Sequence, residues 1–273
     1  MKAKNIILST GLVLSAVLGV SSSAKAASFT TNFSPNPVTD PKADITLNSI
    51  IRNDGVTVSD FKFVSSVEIV QNNNALGPAS TDKGDTATSP GFDPNEAPSG
   101  AELAAYLGNR NLNNIVDTED GGSFILKTFF GSAVVSDTAS TDSFFFWERG
   151  LNSSIEIRAL DASGNTIGSA FTIDKDKPFW TPAGYSIDTT EIGDDQRVGS
   201  YGVSFKDLNL TAGTLVSGLR LRAAGSFNGP DFKFVAADVI RRVDVPEPTA
   251  MIGLGSVAAL AFFRRRQTKK SAV

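Results

Sequence analysis

Three carboxylates in one short turn are the first residues whose types and spacing could do chemistry. Asp117, Glu119 and Asp120 stand in the segment DTEDGG, which ends in two glycines. Calcium takes about six to eight oxygen ligands, and an acidic turn supplies several of them. The spacing does not match the calcium loop of an EF-hand, and the alternative is an ordinary acidic turn before a strand. The segment predicts either a calcium site or a solvated turn.

Trp180 and its aromatic neighbours Phe179 and Tyr185 offer a second kind of site, in the segment KDKPFWTPAGY. Exposed aromatic rings on a β-sheet protein can stack on sugars. A loop tryptophan can instead close the end of a hydrophobic core. The segment therefore predicts either a carbohydrate-binding surface or a packing role.

A third segment, FFFWERG, places Glu148 and Arg149 directly after Trp147. A polysaccharide hydrolase needs two carboxylates roughly 5 to 9 Å apart, and the sequence identifies no partner for Glu148. We expect the aromatic residues to fill the core and Glu148 to form a structural ion pair with Arg149. We therefore predict that the protein is not an enzyme and assign no catalytic residue.

The composition removes several kinds of chemistry. The chain has no Cys and no His, which excludes thiolate nucleophiles, disulfides, imidazole bases and histidine-dependent serine triads. Residues 27–245 hold 17 Lys and Arg against 28 Asp and Glu, a net charge of −11. Such an acidic body repels nucleic acid and anionic lipid, so we expect neither as a partner. Calcium is the one cofactor that the sequence suggests.

Short strands separated by Gly, Asn, Asp and Pro must position these residues. In SSIEIRAL, Ile155 and Ile157 share one face while Glu156 and Arg158 share the other, which is the two-residue period of a strand. The turn DASGNT then joins this strand to IGSAFTI as a hairpin. Similar runs recur along residues 27–245 and predict one all-β domain, a jelly-roll-like β-sandwich.

One short helix is expected in SGAELAAYLGNRN. Ser99 as the N-cap and Glu102 three residues later form a capping-box pattern, and Gly108 marks the end of the helix. The stretch before it, residues 72–98, is poor in apolar residues and rich in Pro and Gly. We expect this stretch to be a mobile surface loop inserted into the domain.

Residues 1–26 have the layout of a secretory signal peptide. Lys2 and Lys4 precede an apolar run, and the small residues Ala24 and Ala26 follow it. The alternative is a retained membrane anchor, but the run is short and ends in a patch rich in Ser and Ala. We predict a signal helix that signal peptidase removes by cleavage after Ala26.

Residues 246–273 combine three features in a fixed order. Pro246, Glu247 and Pro248 come first, an apolar run of about 15 residues follows, and Arg264, Arg265 and Arg266 close it. At about 1.5 Å per residue the run spans roughly 22 Å, against about 30 Å for a bilayer core. We therefore expect a transmembrane helix that inserts transiently in the inner membrane, with the arginines on the cytoplasmic side. A buried helix of a soluble protein is the alternative.

This tail resembles the PEP-CTERM sorting signal. The resemblance implies recognition near Pro246, Glu247 and Pro248 by exosortase, a membrane-embedded cysteine transpeptidase, and release of the body to the cell surface or extracellular matrix. It also implies extracellular polysaccharide as a companion. The segments DSFFFWERGLNSSIEIRALDASGNTIGS and NIVDTEDGGSFILKTFF are similar to cyanobacterial exosortase-dependent surface proteins, which implies a surface location and no enzymatic role.

Three functions therefore stay open at the level of the sequence. The first is an exported structural protein of the cell surface or extracellular matrix. The second is a carbohydrate-binding module for extracellular polysaccharide, using Trp180 and its neighbours with the help of calcium. The third is a polysaccharide hydrolase that acts through carboxylates.

Overall fold

The computed structural model describes residues 29–73, 79–84, 86–88, 90, 96–189 and 193–240. Within these ranges the chain forms one α-helix, α1 (Gly100–Leu107), a short 3-10 helix (Gly225–Phe227) and fourteen β-strands. The strands are β1 (Phe29–Ser34), β2 (Thr46–Arg52), β3 (Thr57–Val58), β4 (Val64–Asn72), β5 (Ala79–Asp82), β6 (Ile115–Thr118), β7 (Phe124–Val134), β8 (Asp142–Arg149), β9 (Ile155–Leu160), β10 (Thr166–Ile173), β11 (Thr181–Ile187), β12 (Gln196–Ser204), β13 (Val216–Ala223) and β14 (Phe232–Ala236).

The strands form three open antiparallel sheets. One has five strands in the order β10-β9-β13-β7-β4, one has six in the order β11-β12-β8-β14-β6-β5, and one has three in the order β1-β2-β3. The predicted all-β class is confirmed, and the open, packed sheets are consistent with a β-sandwich. The finer jelly-roll-like description stays a prediction.

The five- and six-stranded sheets pack face to face around the larger hydrophobic core. Leu219 and Leu221 of β13 face this core from one sheet, and Phe144 and Phe146 of β8 face it from the other. All four side chains are fully buried. The alternation of β13 places Arg220 and Arg222 on the opposite face of its sheet, as a two-residue period requires.

A second hydrophobic core covers the other face of the six-stranded sheet. Phe145 and Trp147 of β8 point into it, and the ring of Phe29 lies edge-on to both, with centroids 5.1 and 5.5 Å away. The three-stranded sheet therefore adds a third layer, which a two-sheet sandwich does not include. Because both faces of β8 are covered, its sequence is a continuous apolar run rather than an alternating one.

Two local predictions are confirmed in detail. Strands β9 and β10 form the expected hairpin, in which the Asp161 carboxylate accepts hydrogen bonds from the backbone N–H groups of Ser163 and Asn165. Helix α1 begins after Ser99, and Ser99 and Glu102 exchange both hydrogen bonds of a capping box. Gly108 ends the helix, as expected.

The prediction that residues 72–98 form a surface loop is wrong in part. Residues 79–82 form strand β5, which pairs with β6 at the edge of the six-stranded sheet. Asp82 and Lys83 are almost completely buried there. The stretch has too few apolar residues to predict a strand, because β5 is held by its backbone pairing and by the partners of its polar side chains.

The end of the described chain is fixed to the preceding part of the domain. Val239 forms a parallel bridge with Ser136. Its N–H donates to the carbonyl of Val135 at 3.0 Å, and its carbonyl accepts from the N–H of Asp137 at 2.7 Å. Two backbone hydrogen bonds thus hold Val239 to the segment around Ser136.

Candidate functional site

The main concentration of charged groups in the interior lies at the end of β8, around Arg149. Its Nη2 atom lies 2.9 Å from Oδ2 of Asp231 and 3.3 Å from Oδ2 of Asp117, and its Nη1 atom lies 3.5 Å from Oδ2 of Asp82. Nη1 also donates to the hydroxyl of Thr189. We name these four charged residues, Arg149 with Asp82, Asp117 and Asp231, the Arg149 cluster.

Neighbouring strands of one sheet bring the cluster together. Asp82 ends β5, Asp117 lies in β6, and Asp231 comes just before β14. Gly229 allows the close approach, because a Cβ atom there would lie 1.9 Å from the carbonyl oxygen of Thr118. The Asp231 carboxylate in turn accepts a hydrogen bond from the N–H of Thr118 at 3.1 Å.

Three carboxylates around one guanidinium cannot all be ionised at low cost in a buried position. Burial, and then the nearby carboxylate of Asp117, raises the pKa of Asp231 well above its ordinary value. Burial opposes the charged form of Arg149, but the carboxylates of Asp231 and Asp117 outweigh it and raise the guanidinium pKa. Arg149 therefore stays charged, and Asp231 is a carboxylate of the cluster whose protonated form burial favours.

The prediction of an ion pair between Glu148 and Arg149 is wrong, because Arg149 pairs with aspartates instead. Successive residues of a strand point to opposite faces, so Arg149 turns to the three aspartates while Glu148 points to the other side of the sheet. Neither carboxylate oxygen of Glu148 has a hydrogen-bond partner of ordinary geometry among the described residues. Burial raises its pKa from 4.5 to about 8, and the nearby Ser153 hydroxyl and the N–H of Leu151 limit that rise.

A cleft of about 300 Å³ adjoins the Arg149 cluster. The three residues predicted to bind calcium, Asp117, Glu119 and Asp120, all line it. Asp117 is buried against Arg149, whereas Glu119 and Asp120 are exposed. Within the described ranges, no group of three acidic side chains is arranged to hold a metal ion. Calcium binding by these residues stays a prediction.

The aromatic residues predicted to bind sugars do not form a common exposed surface. Trp180 is 9% exposed, packs on the larger core and donates from its indole N–H to the carbonyl of Ser153 at 2.7 Å. Phe179 packs against Tyr201 on that core, with ring centroids 5.0 Å apart. Tyr185 is buried in the other core, against Phe33. The structure thus assigns packing roles to these three residues.

Sequence reasoning missed two members of the Arg149 cluster. Asp82 lay in the predicted surface loop, and Asp231 stands in an unremarkable GPDF segment. Neither position carries a motif, because the cluster is made by strand order and not by spacing along the chain. A signal did exist for Arg149 itself, since a cation inside a run of buried aromatic residues requires partners.

The predicted processing sites lie outside the described residues. These are Ala24 and Ala26 near the start of the chain and Pro246, Glu247, Pro248, Arg264, Arg265 and Arg266 near its end. Among the helices of the described part, none is long and apolar enough to cross a membrane. Comparison of the chain with known families, with curated proteins and with solved structures gives no match.

Proposed function

We propose that the protein is an exported structural component of the cell surface or extracellular matrix. The observation that carries this proposal is the order of features in the tail. Pro246, Glu247 and Pro248 precede an apolar run that is followed by three arginines. This order suits a substrate that is held in the inner membrane, cut by exosortase and released outside the cell.

The route begins with the signal segment. Signal peptidase cleaves after Ala26, and the body, residues 27–245, crosses the inner membrane. The short apolar run then stops transfer, because roughly 22 Å of helix can be accommodated by local thinning of the bilayer. Exosortase processes the chain near Glu247, and the body passes to the surface.

The arrangement of the body supports a structural role rather than an enzymatic one. Glu148 has the raised pKa expected of a general acid, but it is 1% exposed and does not line the neighbouring cleft. A catalytic acid must reach its substrate within hydrogen-bond distance. The charged groups of the Arg149 cluster instead join β5, β6, β8 and the start of β14, which stabilises one arrangement of the sheet.

A carbohydrate-binding module is the second candidate. Amide side chains of Asn152, Gln196 and Asn228 line the cleft beside the exposed Glu119 and Asp120. Amide and carboxylate groups are hydrogen-bonding partners for sugar hydroxyls. In this alternative the protein binds extracellular polysaccharide, and calcium held by the acidic turn assists the binding.

Fractionation of a host that carries a sorting transpeptidase tests the main proposal. Wild-type protein is expected in the surface or matrix fraction, and mass spectrometry should find it without residues 1–26 and without the arginine-rich tail. A triple substitution of Pro246, Glu247 and Pro248 to Ala should leave the tail attached and the protein in the inner membrane. Identical fractions and masses for the two proteins would contradict the proposal.

A host deleted for the transpeptidase provides the matched control. The wild-type chain should behave there as the triple variant does in the parent host. Release of a mature, tailless protein from the deleted host would show that another process removes the tail.

A further inference from the structure

All charged residues of the five-stranded sheet lie on its outer face, away from the larger core. The acidic ones are Glu68 of β4 and Glu156 of β9. The basic ones are Lys127 of β7, Arg158 of β9, and Arg220 and Arg222 of β13. This face therefore carries four positive and two negative charges, in a body whose net charge is strongly negative.

Three of the cations lie side by side across adjacent strands. Arg220 is directly opposite Arg158 of β9 on one side and Lys127 of β7 on the other. Strands in a sheet are about 4.8 Å apart, so these like charges are close neighbours. We name Arg158, Arg220 and Lys127 the cationic row. Like charges directly opposite each other destabilise a sheet. A binding role for the row would compensate for this loss of stability.

The two acidic residues neutralise the face only in part. Glu156 pairs with Arg220 at 3.3 Å and with Arg222 at 3.1 Å, and Glu68 pairs with Lys127 at 3.4 Å. Arg158 forms no ion pair or side-chain hydrogen bond with the described residues, and its Nε atom is buried without a partner. Its guanidinium therefore has unused donors on a face with a positive charge excess.

The face also combines these charges with an accessible surface and an aromatic ring. The side chains of Lys127, Arg220 and Arg222 keep 28%, 23% and 38% of their surface exposed. Phe129 follows Lys127 by two residues, so it lies on the same face of β7, and it is half-buried. A sugar ring can stack on an aromatic ring while its acidic group reaches a neighbouring cation.

We propose that this outer face binds an acidic polysaccharide, with its carboxylate or sulfate groups on the cationic row and Arg158 as the principal anchor. Arginine binds such planar or tetrahedral anions through two parallel N–H donors. The partner follows from the proposed role at the cell surface or in the matrix, on which this inference rests.

Charge density favours this partner over nucleic acid. Duplex DNA carries one charge per about 1.7 Å, whereas the cations of the row lie on strands about 4.8 Å apart. A polysaccharide with one acidic group per sugar spaces its charges more widely than duplex DNA, and so more nearly as the row does. The expected complex is therefore moderate in strength and is weakened by salt.

Binding of polygalacturonate to the full-length chain in a non-ionic detergent tests the inference. Titration calorimetry at low ionic strength should detect binding to polygalacturonate and none to neutral dextran. Arg158→Gln should weaken binding about tenfold, as expected for the loss of one charge-assisted contact. Arg158→Lys should bind polygalacturonate more weakly than the wild type and more tightly than Arg158→Gln. Lys177→Gln, at an exposed lysine outside this sheet, should bind as the wild type does.

Thermal unfolding separates a binding defect from a folding defect. Arg158→Gln should keep or raise the Tm, because it removes a like charge opposite Arg220. No binding to polygalacturonate, equal binding to dextran, tighter binding to a single-stranded oligonucleotide, or unchanged binding by Arg158→Gln would each overturn the inference. Such a result would leave the fractionation and tail-processing outcomes of the proposed function unaffected, so the two failures are distinguishable.

Discussion

Arg149 donates two hydrogen bonds to a single carboxylate oxygen of Asp231, from Nε at 3.1 Å and from Nη2 at 2.9 Å. The two residues are separated by 82 positions in the chain. This contact joins the end of β8 to the start of β14, and Asp82 and Asp117 extend it to β5 and β6. The guanidinium thus links four segments of one sheet.

Removal of the guanidinium should strongly destabilise the fold. Arg149→Gln leaves three buried carboxylates without their cation, and breaking a buried ion pair in this way costs about 3 to 5 kcal/mol. Urea denaturation of the variant should show a loss of that size in the free energy of unfolding.

Arg222→Gln provides the matched control, because it also removes an arginine that pairs with a carboxylate. Its partner Glu156 is on the partly exposed outer face, and exposed pairs contribute at most about 1 kcal/mol. A loss below about 1 kcal/mol for Arg149→Gln would show that the cluster is not a principal source of stability.

Glu148 should make stability fall as the pH rises. The carboxyl group ionises near its ordinary pKa of 4.5 in the unfolded chain but near 8 in the folded one. Between these values the folded state binds more protons, so the free energy of unfolding decreases with pH. Each pKa unit corresponds to about 1.4 kcal/mol, so the decrease amounts to a few kcal/mol between pH 5 and pH 8.

Glu148→Gln tests this pH dependence, because the amide does not titrate. The advantage of the variant over the wild type should grow from pH 5 to pH 8 in urea denaturation. Ser153→Ala removes a hydroxyl that lowers the pKa of Glu148, so it should move the wild-type transition to higher pH. Parallel stability curves for the wild type and Glu148→Gln would be inconsistent with a buried, protonated Glu148.

Trp180 should matter for stability through its packing. Trp180→Ala removes a large side chain that is 9% exposed, and such truncations cost about 3 to 5 kcal/mol. Trp180→Phe keeps most of the volume and loses the hydrogen bond to Ser153, so the expected cost is about 1 to 3 kcal/mol. An unchanged Tm in Trp180→Ala would support the surface role that the sequence suggested.

The capping box of α1 should contribute less to the free energy of unfolding than the packing of Trp180 does. Ser99→Ala removes the hydroxyl that accepts from the N–H of Glu102 and should cost about 1 kcal/mol. Ser163→Ala, at an exposed turn serine, is the control and should change stability by less than about 0.5 kcal/mol. Equal changes in stability for Ser99→Ala and Ser163→Ala would show that the capping hydrogen bond does not stabilise the protein.

Features encoded by neighbouring residues could be predicted from the sequence. The β9–β10 hairpin depends on the turn between Leu160 and Thr166, and α1 depends on Ser99 and Glu102, so both signals are local. The third layer was not predicted, although the continuous apolar run of β8 is the pattern of a strand covered on both faces.

Features that depend on strand order could not be predicted. The Arg149 cluster and the cationic row each join residues from distant strands, and one sequence read alone does not fix which strands are neighbours. The overall charge pointed away from nucleic acid and anionic lipid as partners. A net charge averages over all faces of the body and conceals a local positive excess such as that of Arg158 and Arg220.

The two backbone bonds of Val239 have a mechanical consequence. A pull on the chain beyond this residue would load the bonds to Val135 and Asp137 together, because both are made by the same residue of a parallel bridge. Val239→Pro, which lacks the N–H donor, should lower the first rupture force in a single-molecule stretching experiment. If the tail holds the body in the membrane, even briefly, tension along the chain would act first on these two hydrogen bonds together. At a strand edge, tension would instead break one hydrogen bond at a time.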